Sequence, residues 1–280
     1  MLDDFIGINL VTFGGGEGYE RSARRLLKQA KKHKFFVNCL YFNEPRLEKV
    51  LPETKRNISL ISKKVGGDKG FGLWYWKPDV ILYAMAQTKE GDIVAYLDAG
   101  CTLNLKNSTA IARLQEYAIL ASKNGILAMQ LWDKEFDQPD LTDYFWGFGE
   151  LNELIKIDNS KLHSNQIQAG ILFIKNCSES RDFITKWKEL MMLDNFKYLV
   201  GPEKKEYRYD QSVFSLLYKS MGYPTMPDET YFHPLWEKTG VDYPIWATRI
   251  NDGVDPFRMR LGDMIFKMKR RFQLTIQKWK

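Results

Sequence analysis

The sequence predicts a single α/β domain on a mixed, mostly parallel sheet flanked by helices, followed by a basic amphipathic helix. Three observations predict it. A β-branched apolar run at residues 5–13 stops at three glycines and leads into a helical pattern, the opening of a strand–loop–helix–strand unit. A second apolar run, residues 93–97, stops abruptly at Asp98. The chain has 280 residues, of which 44% are hydrophobic and 27% charged, enough to bury a sizeable core and too apolar for a disordered or low-complexity protein.

The elements follow in order. Residues 5–13 read as a buried strand and Gly14, Gly15 and Gly16 as a tight turn. Residues 19–34 carry Ala23, Leu26, Leu27 and Ala30 at helical spacing, with basic residues on the other face. Residues 35–42 form a second strand, whose parallel crossover should be right-handed. Residues 58–61 read as a third strand. Pro78 sits early in a helix that runs to about Thr88, and Gly91 and Asp92 close it. Residues 108–122 are helical, 126–131 and 167–174 are strand-like, and 182–190 and 210–221 are helical. Beyond Pro224 the chain is irregular and rich in Pro, Trp and Tyr until the final helix.

Charge divides the chain into a domain at 1–257 and an appendage at 258–280. The net charge is +6, yet residues 258–280 hold eight basic residues against Asp263 alone, so they carry +7 and the body −1. A body without excess positive charge is not a nucleic-acid-binding surface, and no nucleic-acid partner is expected. Leu261, Ile265, Met268, Phe272, Ile276 and Trp279 form one apolar stripe in the appendage, flanked by basic residues. That pattern suits an anionic membrane surface; a helix docked on the protein's own core and, third, RNA binding are the other readings. Cys39, Cys101 and Cys177 are odd in number and far apart, which argues against a disulfide framework and for a reducing compartment. There is no basic segment before the first apolar run and no apolar stretch of about 18 residues, so neither a signal peptide nor a transmembrane helix is expected.

Several segments could carry chemistry. The loop from Thr12 and Phe13 through Gly14, Gly15 and Gly16 to Tyr19 could admit a phosphate or ribose close to the backbone, at a helix N-terminus that favours an anion, or could be only a tight turn. It lacks the spacing of a dinucleotide-binding or Walker loop. Trp74, Tyr75 and Trp76 beside Lys77 could form an aromatic wall with one cation. Asp98, followed by Ala99 and Gly100, ends an apolar strand, and a carboxylate at the carboxyl edge of an open α/β sheet lies where ligands bind. Gln168, Ala169 and Gly170 put small residues in an apolar run, as if something approached the backbone. Asp210 and Gln211 open a helix, where an acid is also a good cap. His233 could be a metal ligand or a structural histidine.

These segments in this order resemble a nucleotide-sugar glycosyltransferase of the GT-A, Rossmann-like fold, with likeness to family 8-like retaining enzymes and to bacterial transferases of capsule or lipopolysaccharide. The resemblance rests on residues 11–16, the Trp-Lys-Pro helix before Tyr96, Leu97 and Asp98, the Gln168-Ala169-Gly170 segment and Asp210-Gln211, and it spans about 5–235. It implies a nucleoside-diphosphate sugar, UDP-sugar foremost, as donor and a glycan or lipid-linked acceptor; the basic tail and the unpaired cysteines add the expectation of a place on the cytoplasmic face of a membrane. It also implies roles. Thr12, Phe13, Gly14, Gly15 and Tyr19 would hold base and ribose, Trp76 would line the donor site, and Lys77 would meet the diphosphate. Asp98 would be the first acid of an Asp-x-Asp motif binding Mn²⁺ or Mg²⁺, with Ala99 and Gly100 beside it. Gln168, Ala169 and Gly170 would face the donor sugar, Asp210 and Gln211 the reacting carbon, and His233 would complete the metal site. The second acid of the motif is Gly100 here, which removes one oxygen ligand and leaves open either a loosely held cation or metal-independent transfer with Lys77 or Arg208 offsetting the diphosphate. A non-catalytic nucleotide- or glycan-binding module on the same fold is the alternative reading.

Overall fold

The structure, a computed structural model, describes residues 6–132, 140–202, 207–232 and 235–251. The chain opens with β1 (Ile8–Phe13), α1 (Gly16–Ala30) and β2 (Phe36–Phe42), then α2 (Glu44–Val50), α3 (Pro52–Val65), a short turn α4 (Gly70–Leu73) and α5 (Lys77–Ala86). It continues with β3 (Ile93–Leu97), β4 (Thr102–Leu103), α6 (Ser108–Asn124), β5 (Ile126–Leu127) and β6 (Met129–Gln130). Three short helices, α7 (Asp143–Trp146), α8 (Gly149–Ile155) and α9 (Asn159–Leu162), precede β7 (Ile171–Lys175). The long α10 (Ser178–Val200), α11 (Asp210–Ser220), β8 (Met226–Pro227), α12 (Trp236–Thr239) and β9 (Ile245–Trp246) follow.

The central sheet has the order β2-β1-β3-β7-β5. β1 runs parallel to β2 and β3, while β7 is antiparallel to both β3 and β5, so four strands point one way and β7 alone is reversed. The inner strands β1 and β3 are buried on both faces, which is why they read as apolar runs, whereas the edge strand β2 is partly exposed. Alternate residues feed two cores. Val11, Phe13, Val94, Tyr96, Leu172 and Ile174 pack on the side of α5, α10 and α11. Ile8, Leu10, Ile93, Ala95, Ile171 and Phe173 pack on the side of α1 and α6.

Three sequence expectations need correction. Residues 58–61 belong to α3, not to a strand: Thr54, Ile58 and Ile61 are its buried positions, a helical spacing that a four-residue window could not distinguish from a short strand. Residues 126–131 divide, because β6 leaves the central sheet to pair with β8. In the 167–174 run only Ile171 onward joins the sheet, and Gln168–Gly170 form the bend before it. The expected helix at 182–190 is the middle of α10. The appendage at 258–280 and the end of the expected domain at 252–257 lie outside the described residues, as does His233. Among the described residues the three cysteines are free thiols, and no helix is long and apolar enough to cross a membrane.

Candidate functional site

The C-terminal ends of β1 and β3 face a cleft of about 820 Å³. Because β7 runs the other way, its beginning lies at the same edge: Leu97 pairs with Ile171, and the Asp98 amide donates to the Gly170 carbonyl at 2.8 Å. Strand reversal thus brings the Asp98 and Gln168–Gly170 segments, 70 residues apart, onto one rim. Gly170 leaves room there for the Asp98 carboxylate, since a Cβ at this position would sit 2.6 Å from Asp98 Oδ2 and push it aside.

Lys77 is the first residue of α5 and is 4% exposed. Its Nζ lies 2.9 Å from Asp210 Oδ2 and 3.5 Å from Asp98 Oδ1, and it donates to the Ala169 carbonyl at 3.3 Å. Burial pulls the ammonium's pKa down, but the two carboxylates outweigh it and the net displacement is upward, so Lys77 is charged. Asp210 is 3% exposed. Burial pushes its carboxyl up to about 6, with Lys77 pulling it back and Asp98 adding to the rise. Within the ion pair its Oδ2 makes no well-directed hydrogen bond. Tyr96, whose phenol is held well above its ordinary pKa by burial and then by Asp98, donates to Asp98 Oδ1 at 2.6 Å. Asp210 is the first residue of α11, with Tyr209 at the cap position, and its acid is turned to Lys77.

Gln211 is anchored from below. Its Nε2 donates to Gln166 Oε1 at 3.0 Å, and Gln166 Nε2 donates to Asp143 Oδ1 at 3.0 Å and Ser212 Oγ at 3.1 Å. Asp143 is fully buried and paired with Lys219 at 2.6 Å. This chain of polar groups fixes the Gln211 amide at the cleft wall. On the opposite rim Gln168 Nε2 donates to Asp228 Oδ1 at 3.1 Å.

Aromatic rings line much of the remainder. Phe13 and Trp76 pack with ring centroids 4.1 Å apart and planes tilted by 38°, and Phe71 lies 5.3 Å from Phe13. Residues 70–74 all have positive φ, a left-handed turn that presents Trp74 6.1 Å from Tyr209. The Arg208 guanidinium lies over Trp146 at 4.2 Å. Tyr75 points the other way, into the core, and accepts a hydrogen bond from Asn57 at 2.9 Å.

The structure brings most of the expected residues together. Phe13, Gly15, Tyr19, Trp76, Lys77 and Asp98 line the cleft, and so do Ala99, Gly100, Gln168, Gly170, Asp210 and Gln211. Thr12, Gly14 and Ala169 lie behind the wall. Thr12 is buried in β1, the Gly14 amide bonds the Phe42 carbonyl at 2.9 Å, and Ala169 contributes its carbonyl to Lys77. The N-terminus of α1 is not open to an anion: the Gly16 amide donates to Glu44 Oε1 at 3.1 Å, and Glu17 stands in the first turn. Sequence reading did not single out Asp228, Tyr231, Arg249, Trp146 or Glu44, which also line the cleft. Asp228 and Arg249 come from the irregular region after Pro224, where no periodicity marks a face.

A divalent cation bound by protein asks for several converging oxygens. Among the described residues no group of three or more His, Cys, Asp and Glu converges to hold one. Asp98 Oδ1 is already engaged by Tyr96 and Lys77, and the place of a second acid is closed. A Cβ on Gly100 would lie 2.9 Å from Arg249 Cα and 3.1 Å from the Ile250 nitrogen. The described residues therefore do not fit a protein-held cation.

No family model matches the sequence, and neither does any curated protein. Among solved structures the chain is similar to mouse xyloside xylosyltransferase 1, at 8% identity and a TM-score of 0.44, over 89% of this chain and 100% of that one. It is similar to a glycosyltransferase involved in glycosylation of the major capsid of PBCV-1, at 13% identity and 0.44, over 85% and 93%. Galactosyltransferase LgtC matches at 11% identity and 0.38, over 83% of each chain. Identities and scores this low say nothing of residue roles.

Proposed function

We propose that this chain is a GT-A-type glycosyltransferase that moves a sugar from a nucleoside-diphosphate sugar, UDP-sugar foremost, to a hydroxyl of a glycan or lipid-linked acceptor, with retention. The observation that carries the reading is a buried lysine holding two cleft carboxylates from separate elements, Asp98 after β3 and Asp210 at the head of α11. The carboxamides of Gln168 and Gln211 line the same cleft. The sequence resemblance assigns donor chemistry to these residues, and their convergence supports it.

In this reading the base and ribose lie against Phe13, Tyr19 and Phe71, on the wall that also holds Glu44, which is engaged by Gly16 and Lys55. The bond between the anomeric carbon and the diphosphate oxygen breaks, and its electron pair leaves with the diphosphate. The acceptor oxygen bonds to the same face of that carbon, and its proton passes to a leaving-group oxygen. Asp210, ionised, stabilises the cation-like sugar in the transition state, and Lys77 keeps that carboxylate in place. Trp74, Trp146 and Tyr209 offer apolar ring faces to an acceptor sugar. A role in capsule or lipopolysaccharide synthesis, with 258–280 on the cytoplasmic face of a membrane, belongs to the same proposal.

The closed position at Gly100 favours one rival, a non-catalytic nucleotide-binding module. Incubation of the purified chain with a panel of nucleotide sugars separates the two. An enzyme releases nucleoside diphosphate and free sugar slowly even without acceptor, and Asp98→Ala and Asp210→Ala abolish the release. Full release by both variants would overturn the site, and no release with any sugar nucleotide would favour the module.

A further inference from the structure

The closure of Gly100 is specific in what closes it. Arg25 fixes the loop after Asp98, donating to the Cys101 carbonyl at 2.7 Å and the Thr102 hydroxyl at 2.9 Å. β4 pairs with β9, which leads residues 248–250 across that loop. Thr248 Oγ1 donates to the Gly100 carbonyl at 2.7 Å, and the Ile250 amide donates to the same oxygen at 3.1 Å. Between them Arg249 adopts a left-handed φ of 56°, rare for a side chain with a Cβ. Arg249 lines the cleft, with its guanidinium 5.4 Å from the centre of the Tyr231 ring. The residue whose backbone fills the place of the second metal-binding acid is thus itself an arginine that lines the cleft, with its charge near Tyr231 and Asp228.

The charges of the cleft show what this cation is for. The wall holds five acids (Glu44, Asp68, Asp98, Asp210, Asp228) and four bases (Lys69, Lys77, Arg208, Arg249). Lys77 is committed to Asp98 and Asp210. Lys69 donates to the Tyr209 hydroxyl at 3.0 Å and Arg208 covers Trp146, whereas Arg249, near Tyr231 and Asp228, is a base whose backbone adjoins the loop after Asp98. A dianionic leaving group arriving beside Asp98 meets Arg249.

We propose that Arg249 binds the diphosphate of the donor in place of a divalent cation, so that donor binding by this chain needs no metal. The inference rests on the glycosyltransferase reading. The guanidinium donates N–H groups to the phosphate oxygens and offsets the charge that grows on them as the glycosidic bond breaks, without itself giving up a proton. The acid lost at Gly100 and the arginine gained at 249 are then one exchange: removing a carboxylate and adding a guanidinium does by fixed charge what two acids and a metal ion would do together.

Calorimetric titration of the full chain with UDP, GDP, CDP and ADP tests this, in EDTA and again with Mn²⁺. At least one nucleoside diphosphate is expected to bind, with affinities in the two conditions agreeing within about twofold. Arg249→Ala should weaken that binding roughly ten- to hundredfold, while the matching nucleoside without phosphate binds as in the wild type. If the alanine variant melts early, Arg249→Gln, which keeps most of the bulk over Tyr231 and drops the charge, carries the same comparison. Binding that requires Mn²⁺, or that is unchanged in both Arg249 variants, overturns the inference and leaves the glycosyltransferase reading standing. Failure of every nucleoside diphosphate in both conditions overturns both.

Discussion

Lys77 and Asp210 form a buried ion pair in the wall of the cleft, Nζ 2.9 Å from Oδ2, with 4% and 3% of each residue exposed. Neither charge would be tolerated there alone. The pair ties the start of α5 to the start of α11, so the same contact shapes the site and holds two helices at its edge.

Lys77→Met should therefore cost both stability and function. The substitution leaves Asp210 buried without its cation, an uncompensated charge worth about 3–5 kcal/mol. Asp98 is more exposed and adds little, because water screens it. Urea unfolding should show the midpoint fall by the corresponding amount, and sugar-nucleotide turnover should be lost. An unchanged midpoint would show that the pair does not hold the two helices.

The acid limb of activity should belong to Asp210. Its carboxyl is pushed up to about 6 by burial, against an ordinary 3.8, and only the ionised form stabilises a sugar cation. Turnover should fall as the pH drops through about 6. Stability should move the opposite way. Between about pH 4 and 6 the folded state keeps this proton and the unfolded state does not, so the contribution of Asp210 to stability declines as pH rises. Compared with Asp210→Asn across that window, the wild type should lose stability relative to the variant with rising pH; a constant difference would remove the assignment.

Two glycine substitutions should behave differently although both crowd the same rim. Gly170→Ala places a methyl group 2.6 Å from Asp98 Oδ2, the movable end of a side chain, so the fold should tolerate it while turnover drops about tenfold or more. Gly100→Ala meets the Arg249 backbone at 2.9 Å, which cannot step aside without loosening the 248–250 segment. It should lower stability by about 1–3 kcal/mol. Thermal melting and turnover measured together on both variants check the contrast.

The basic appendage has its own test. Its apolar stripe and +7 charge should carry the chain onto anionic vesicles, and a chain ending at residue 257 should stay in the supernatant. Equal pelleting of the two would remove the membrane proposal.

Much of this was legible in the sequence because it depended on local pattern. The buried strands β1 and β3 are continuous apolar runs, and each ends where a glycine or an acid makes further burial costly, so Phe13 and Asp98 declare the sheet edge. Lys77, Asp210 and Gln211 were recognisable as polar residues at helix starts. Ile58–Ile61 was misread because four residues hold barely one helical turn, too few to show its period.

What no window could reveal was which of those residues meet. Sequence pattern determined that this is an α/β chain with charged and amide side chains at its sheet edge, since burial period and chain-stopping residues act over a few positions. Only the tertiary structure decided that β7 runs backward to bring Gly170 against Asp98. It alone turned the Lys77 charge inward onto two acids and laid Arg249 across Gly100. These contacts join residues separated by 21 to 149 positions in the chain, set by how the two cores close over the sheet, and no local propensity encodes such a pairing.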